Sequence, residues 1–177
     1  ANNHKDIHVE TIVTSICKQS RMEAIFAQYK PEYVFHAAAY KHVPMLEFQP
    51  LVALKNNVLS TGYLVQYACE FGASKFVLVS TDKAIHPVNN MGATKRICEM
   101  ICMALSQQPN CKTQIMAVRF GNVLGSAGSV LPTFREQIMH GGPITVTHPE
   151  MTRFFMTIPE AVSLILEAAS FKSVGGK

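Results

Sequence analysis

Residues 76–96, FVLVSTDKAIHPVNNMGATKR, constrain the fold more than any other part of the chain. The run from Phe76 to Ser80 is short and apolar, with Gly72 upstream and a polar cluster downstream. That is the pattern of a strand buried in a parallel sheet. Ligands of open α/β sheets bind beyond the carboxyl ends of the strands. At this end Ser80, Thr81, Asp82 and Lys83 crowd two hydroxyls, a carboxylate and an amine into four positions. After a loop around Pro87, Asn89 and Asn90, residues 91–105 return to helical spacing, with Ile97, Met100, Ile101, Ala104 and Leu105 apolar and Lys95, Arg96 and Glu99 polar. Lys95 therefore lies one turn beyond Met91 on the same helix face.

The remaining chain alternates strand and helix patterns, which predicts an α/β fold with a parallel sheet flanked by helices. Strands are expected over residues 7–13, 33–37 and 115–120, with a short edge strand over 144–147. Amphipathic helices are expected over 20–29, 51–71 and 160–170, the second stopped by Gly72 and the third opened by Thr157 and Pro159. Residues 1–6 are polar and are expected to be disordered. The strand at 33–37 runs into Ala37, Ala38 and Ala39, small residues that let a flat ligand approach the backbone, and then into Lys41 and His42. The strand at 115–120 runs into GNVLGSAGS, whose glycines let backbone amides meet phosphate oxygens. Arg153, set among apolar residues, suits bidentate capture of a phosphate.

With 177 residues and 48% apolar content the chain can bury one core, so a single domain is expected. The formal charge of +4 comes without a basic run. It suits an anionic small substrate and does not imply nucleic acid. Five cysteines, an odd number without metal-ligand spacing, predict reduced thiols in a cytosolic setting, and Cys98 and Cys102 share a helix face as small core residues. No apolar run approaches the ~20 residues of a membrane span.

The spacing of Met91 and Lys95 resembles the active-site helix of the short-chain dehydrogenase/reductase superfamily, in which a tyrosine stands at the position of Met91. STDKAIHPVNNMGATKR, with HAAAYKHVP before it and RFGNVLGSAGSVLPTFREQI and GGPITVTHPEMTRFFMTIPEA after it, is similar to the nucleotide-sugar 4,6-dehydratases of bacterial polysaccharide biosynthesis, in the larger, membrane-associated branch that carries methionine there. The resemblance covers residues 9–170 and implies a Rossmann-like fold, NAD as cofactor and a UDP-sugar, UDP-N-acetylglucosamine foremost, as substrate. It also implies that the chain, treated as residues 1–177 of one domain, lacks the N-terminal glycine-rich β-α-β unit and is cut at both ends, in a parent anchored at the inner membrane with its catalytic domain in the cytoplasm.

Within that resemblance Met91 leaves the tyrosine role vacant, since methionine can neither give nor take a proton. The role is therefore expected to fall to the preceding strand, with Thr81 near the sugar C4 hydroxyl, Asp82 as the acid at C6 and Lys83 as the base at C5, while Lys95 holds the cofactor ribose. Ala37, Ala38, Asn57 and Ser80 would join Lys95 around the cofactor, Asn57 bridging its helix to the catalytic strand. Lys41, His42, Asn122, Ser129 and Arg153 would bind the sugar nucleotide, with Ser129 opening a helix whose Leu131, Phe134 and Ile138 face the core. Ser15 departs from the aspartate common in relatives near the adenine. A UDP-sugar epimerase and an inactive sugar-nucleotide-binding fragment are the alternatives, and an exposed sheet edge makes self-association an expectation.

Overall fold

The computed structural model describes residues 7–126, 128–146 and 148–171. Strands β1 (Tyr33–His36), β2 (Lys75–Thr81) and β3 (Gln114–Phe120) form a parallel sheet in the order β1-β2-β3, with His36 opposite Leu78 and Ser80 opposite Arg119. The middle strand is covered on both faces, as a central parallel strand must be: Phe76 and Leu78 are fully buried and Val77 nearly so.

Helices α1 (Gln19–Tyr29), α4 (Ser60–Glu70) and α5 (Asn90–Ser106) cover the face that carries Phe76, Leu78 and Ser80. Met22, Phe26, Val65, Ala68, Cys98 and Cys102 close that core. Helix α7 (Ile158–Ser170) packs on β2 and β3. Lys75, out of phase with Phe76 along β2, donates to the carbonyls of Ala169 and Phe171 at the end of α7, which puts that helix on the opposite face. Thr157 and Glu160 cap α7 reciprocally. No described helix is long and apolar enough to cross a membrane.

The helix expected over 51–71 is divided. α2 (Val43–Phe48) is followed by α3 (Pro50–Ala53), a π-helical turn (Leu54–Leu59) and α4. The wider turn brings Asn56 and Asn57 inside and frees the Asn57 carbonyl, which accepts from the Thr61 hydroxyl at 2.6 Å and the Cys98 thiol at 3.1 Å. Apolar periodicity alone does not mark such a turn, because the side-chain pattern continues through it.

Residues 7–13 form no strand: Ile7, Val9 and Val13 are exposed and have no paired strand among the described residues, without which an isolated extended segment gains little. Residues 144–146 are likewise irregular, and Thr147 lies outside the described residues. The short strand β4 (Asn122–Val123) pairs in parallel with β5 (Phe155–Met156). In helix α6 (Val130–Met139), Leu131 and Ile138 are exposed at 42% and 60% and Phe134 is half-buried, so the expected core face is largely uncovered. An amphipathic pattern names a face without supplying its partner. Cys69 and Cys111 form a disulfide with Cα atoms 4.9 Å apart, which corrects the expectation of thiols throughout; a pairing 42 residues apart is set by packing and leaves no mark in spacing. Cys98 and Cys102 are buried core thiols, as expected. The expectations for residues 1–6 and for Gly175 and Gly176 fall outside the described residues.

Candidate active site

The carboxyl ends of β2 and β3 bring four of the expected groups, Thr81, Asp82, Lys83 and Asn122, into direct contact. Thr81 leaves β2 extended and its hydroxyl accepts from the Lys83 amide, capping a 3-10 turn (Asp82–Ala84). Lys83 Nζ donates to Asp82 Oδ1 at 3.0 Å and to Asn122 Oδ1 at 3.3 Å, and Thr81 Oγ1 donates to the same Asp82 oxygen at 3.0 Å. The Asp82 and Lys83 side chains keep 34% and 31% exposure, enough for a ligand to reach them. Partial burial pushes the Asp82 carboxyl up, but the hydrogen bonds from Lys83 and Thr81 outweigh it and hold the group below the usual carboxylate range.

Helix α5 is locked onto this turn. Asn89 Oδ1 accepts from the Gly92 amide at 2.8 Å, and Gly92 passes so close to the Lys83 carbonyl that a Cβ there would fall 2.5 Å from its oxygen. Met91 is buried with Leu46 and Ala53, an apolar setting in which its thioether anchors α5 to α2 and α3 and carries no proton. Lys95 is 7% exposed and donates to the Val79 carbonyl at 2.8 Å; burial lowers its pKa.

Asn57 is buried as expected, but its bridge differs. Its amide clamps both backbone groups of Tyr40 and donates to Thr94 Oγ1, so it joins the π turn to the β1 loop and to α5 and makes no bond to β2. Ser80, expected at the cofactor, is buried and donates to Glu99 Oε1 at 2.6 Å, because alternation along β2 sends it to the α5 face. Ala37 and Ala38 are exposed just past β1, and Lys41 and His42 are exposed beyond them. The His42 ring lies over Gly128, where a Cβ would collide with it, and this contact joins the β1 loop to the glycine loop. Ser129 Oγ is buried without a partner among the described residues at the start of α6. Arg153 is exposed and, among the described residues, its side chain donates to the Thr152 carbonyl alone. It adjoins Phe154, whose carbonyl accepts from the Asn122 amide at 2.9 Å.

Two features escaped the sequence reading. Glu99 gathers Ser80, Arg96 and Arg119; its only signal was a carboxylate one turn beyond Lys95 on a largely apolar helix. His36 is 4% exposed with Nε2 2.9 Å from Thr61 Oγ1. Since Thr61 spends its proton on the Asn57 carbonyl, the imidazole is the donor and carries its proton on Nε2. Burial, with Lys95 nearby, pushes the His36 pKa down to about 4. Against an unfolded value of ~6.5, the folded state resists protonation, so stability is full above pH ~6.5 and declines by roughly 3 kcal/mol as pH falls to about 4. An imidazole NMR titration is expected to show His36 neutral down to that point; a midpoint near 6.5 would contradict it.

A family profile described as polysaccharide biosynthesis protein matches residues 1–176. The chain is 52% identical over 164 residues to the capsular polysaccharide biosynthesis protein CapD of Staphylococcus aureus, covering 93% of this chain and 27% of CapD. It is 42% identical to a protein named UDP-glucose 4-epimerase from Rickettsia canadensis, covering 80% of this chain and 42% of that one. The chain thus spans about a quarter of CapD and under half of the epimerase-named relative. Among solved structures, Pen from Bacillus thuringiensis superposes with a TM-score of 0.88 at 35% identity, covering 97% of this chain and 54% of Pen. MoeE5, solved with UDP-glucose and NAD, gives 0.82 at 20% identity over 93% of this chain and 60% of that one, a likeness of fold. The parallel sheet flanked by helices is the Rossmann-like architecture expected.

Proposed function

Because this chain belongs to the family of polysaccharide biosynthesis proteins, we propose that its 177 residues form one partial domain carrying the reaction centre of an NAD-dependent 4,6-dehydratase acting on a UDP-N-acetylhexosamine, UDP-N-acetylglucosamine foremost. The observation that carries this reading is the joined Thr81–Asp82–Lys83–Asn122 cluster beside a Met91 sealed in apolar company. Proton-handling groups are concentrated at the end of the strand, while position 91 of the helix offers none.

The residues fit the cofactor. The exposed Ala37 and Ala38 present backbone with no side chain beyond Cβ, and the buried Lys95 is a cation beneath the same sheet end. These residues would hold NAD. When bound, it would take a hydride from sugar C4 and return it at C6, with no net redox change. MoeE5, whose fold this chain shares and which was solved with UDP-glucose and NAD, supports that cofactor and a UDP-sugar.

The chain's own residues would then move two protons. Thr81 Oγ1 accepts the C4 hydroxyl proton and passes its own to Asp82 Oδ1, making the carboxylic acid that protonates the departing C6 hydroxyl as water. Lys83, as the neutral amine, takes the C5 proton and later returns it to C5. The Lys83 side chain is one-third exposed, so its ammonium proton leaves to solvent before the sugar nucleotide seats, which supplies the amine and leaves Asp82 free for the Thr81 proton. Asn122 Oδ1 accepts from Nζ and holds it beside Asp82.

The whole protein, with NAD and UDP-N-acetylglucosamine, is expected to give a 4-keto-6-deoxy product lighter by one water. Mass spectrometry detects the loss and NMR assigns the C5 configuration. A product of unchanged mass with C4 inverted would favour the epimerase reading, for which the name of the 42% identical relative speaks. UDP-sugar bound without conversion by residues 1–177 alone, while the whole protein turns it over, would mark this segment as a binding fragment.

A further inference from the structure

Glu99 lies outside every role assigned above, yet it is the most heavily bonded carboxylate among the described residues. It is 4% exposed. Its Oε1 accepts from Ser80 Oγ at 2.6 Å and Arg119 Nε at 2.8 Å, and its Oε2 accepts from Arg119 Nη2 at 2.5 Å and Arg96 Nη1 at 3.2 Å. Four donors saturate a carboxylate, which fixes both its charge and its rotamer. Burial alone would raise its pKa; the Arg119, Ser80 and Arg96 hydrogen bonds reverse this and keep it ionised.

The placement of the donors gives the network its meaning. Ser80 and Arg119 are directly opposite each other in the β2–β3 register, one position before the last pair, Thr81 and Phe120. Immediately past that pair, β2 becomes the Asp82–Ala84 turn, and two residues beyond Phe120 the other strand reaches Asn122. Glu99 itself sits one turn after Lys95 on α5. A single side chain therefore fastens β2, β3 and α5 together at the level just beneath the Thr81–Asp82–Lys83–Asn122 cluster.

We propose that Glu99 is the positioning residue of this site, acting through Ser80 and Arg119 to hold the Asp82–Lys83–Asn122 cluster in register with Lys95. The proposal rests on the dehydratase reading for its kinetic consequence, while its structural consequence stands apart from any reaction. A residue that served stability alone would lower the melting temperature and leave the folded enzyme's turnover intact.

The test uses Glu99→Ala, with the isosteric Glu99→Gln and the milder Arg119→Lys in reserve should the first fail to fold, all in the whole protein with NAD. Well below each variant's melting temperature, kcat is expected to fall at least 10-fold while KM for the UDP-sugar stays within about threefold. The loss should shrink toward nothing in a Lys83→Met background, since a positioning residue has no effect once its target is gone. Crystal structures are expected to show the Lys83 ammonium displaced from Asn122 by more than about 0.5 Å, the tolerance of a working site. An unmoved cluster, or an unchanged kcat in a destabilised variant, overturns the proposal. If the wild type turns over no UDP-sugar, the dehydratase reading falls, and the displacement in the crystal still decides the role of Glu99.

Discussion

Replacing Lys83 with Met, or Asp82 with Asn, is expected to lower turnover of the UDP-sugar by about 100-fold or more while leaving the fold intact. Both side chains are about one-third exposed and neither belongs to the core, so the loss would be chemical. The two variants fail differently. Asp82→Asn keeps a group that can accept from Thr81 and Lys83 but cannot carry the C4 proton on to the C6 hydroxyl. Lys83→Met keeps the stem and removes the amine that takes the C5 proton, so solvent deuterium should no longer enter C5 of bound sugar. Steady-state kinetics, with circular dichroism as the control for folding, checks both. Turnover within about threefold of wild type for either would remove that residue from the mechanism.

Gly92→Ala should destabilise the protein by about 1–3 kcal/mol, the usual cost of forcing a methyl into a packed site, and should reduce turnover sharply. Helix propensity alone predicts the opposite, since alanine is better than glycine inside a helix by ~1 kcal/mol. The geometry decides the sign. The added Cβ would stand 2.5 Å from the Lys83 carbonyl oxygen and 3.2 Å from its carbon, both backbone atoms that cannot rotate away. Relief requires α5 to slide off the Asp82–Ala84 turn, which loosens the Asn89 cap and separates Lys95 from Lys83. A displacement approaching 1 Å can cost ~100-fold in rate. Chemical denaturation and kinetics on the same variant test both halves, and a more stable, fully active Gly92→Ala would refute the contact.

Much of the fold could be read from residue patterns because its strands are strongly apolar and its helix punctuation is explicit. The strands at Tyr33, Phe76 and Ile115, the helix after Asn89 and the Thr157 cap all lie where hydrophobic period, glycine, proline and hydroxyl signals put them. The candidate cluster was readable for a different reason. Thr81, Asp82 and Lys83 are consecutive, so the end of one strand delivers all three together, and Met91 declares by its chemistry that it cannot share their work.

Chain order by itself therefore determined the strand-and-helix alternation, the strand whose end carries the Thr81–Asp82–Lys83 run, and a side chain at position 91 that can neither give nor take a proton. Only the folded arrangement decided that Asn122 meets Lys83 from 39 residues away, that Ser80 turns inward to Glu99 while its neighbour Thr81 bonds Asp82, that Cys69 pairs with Cys111, and that the long helix widens at Asn57. Local propensity acts over a few residues and is written in them. Contacts between distant groups depend on how strands register and helices pack, and no single segment carries that information.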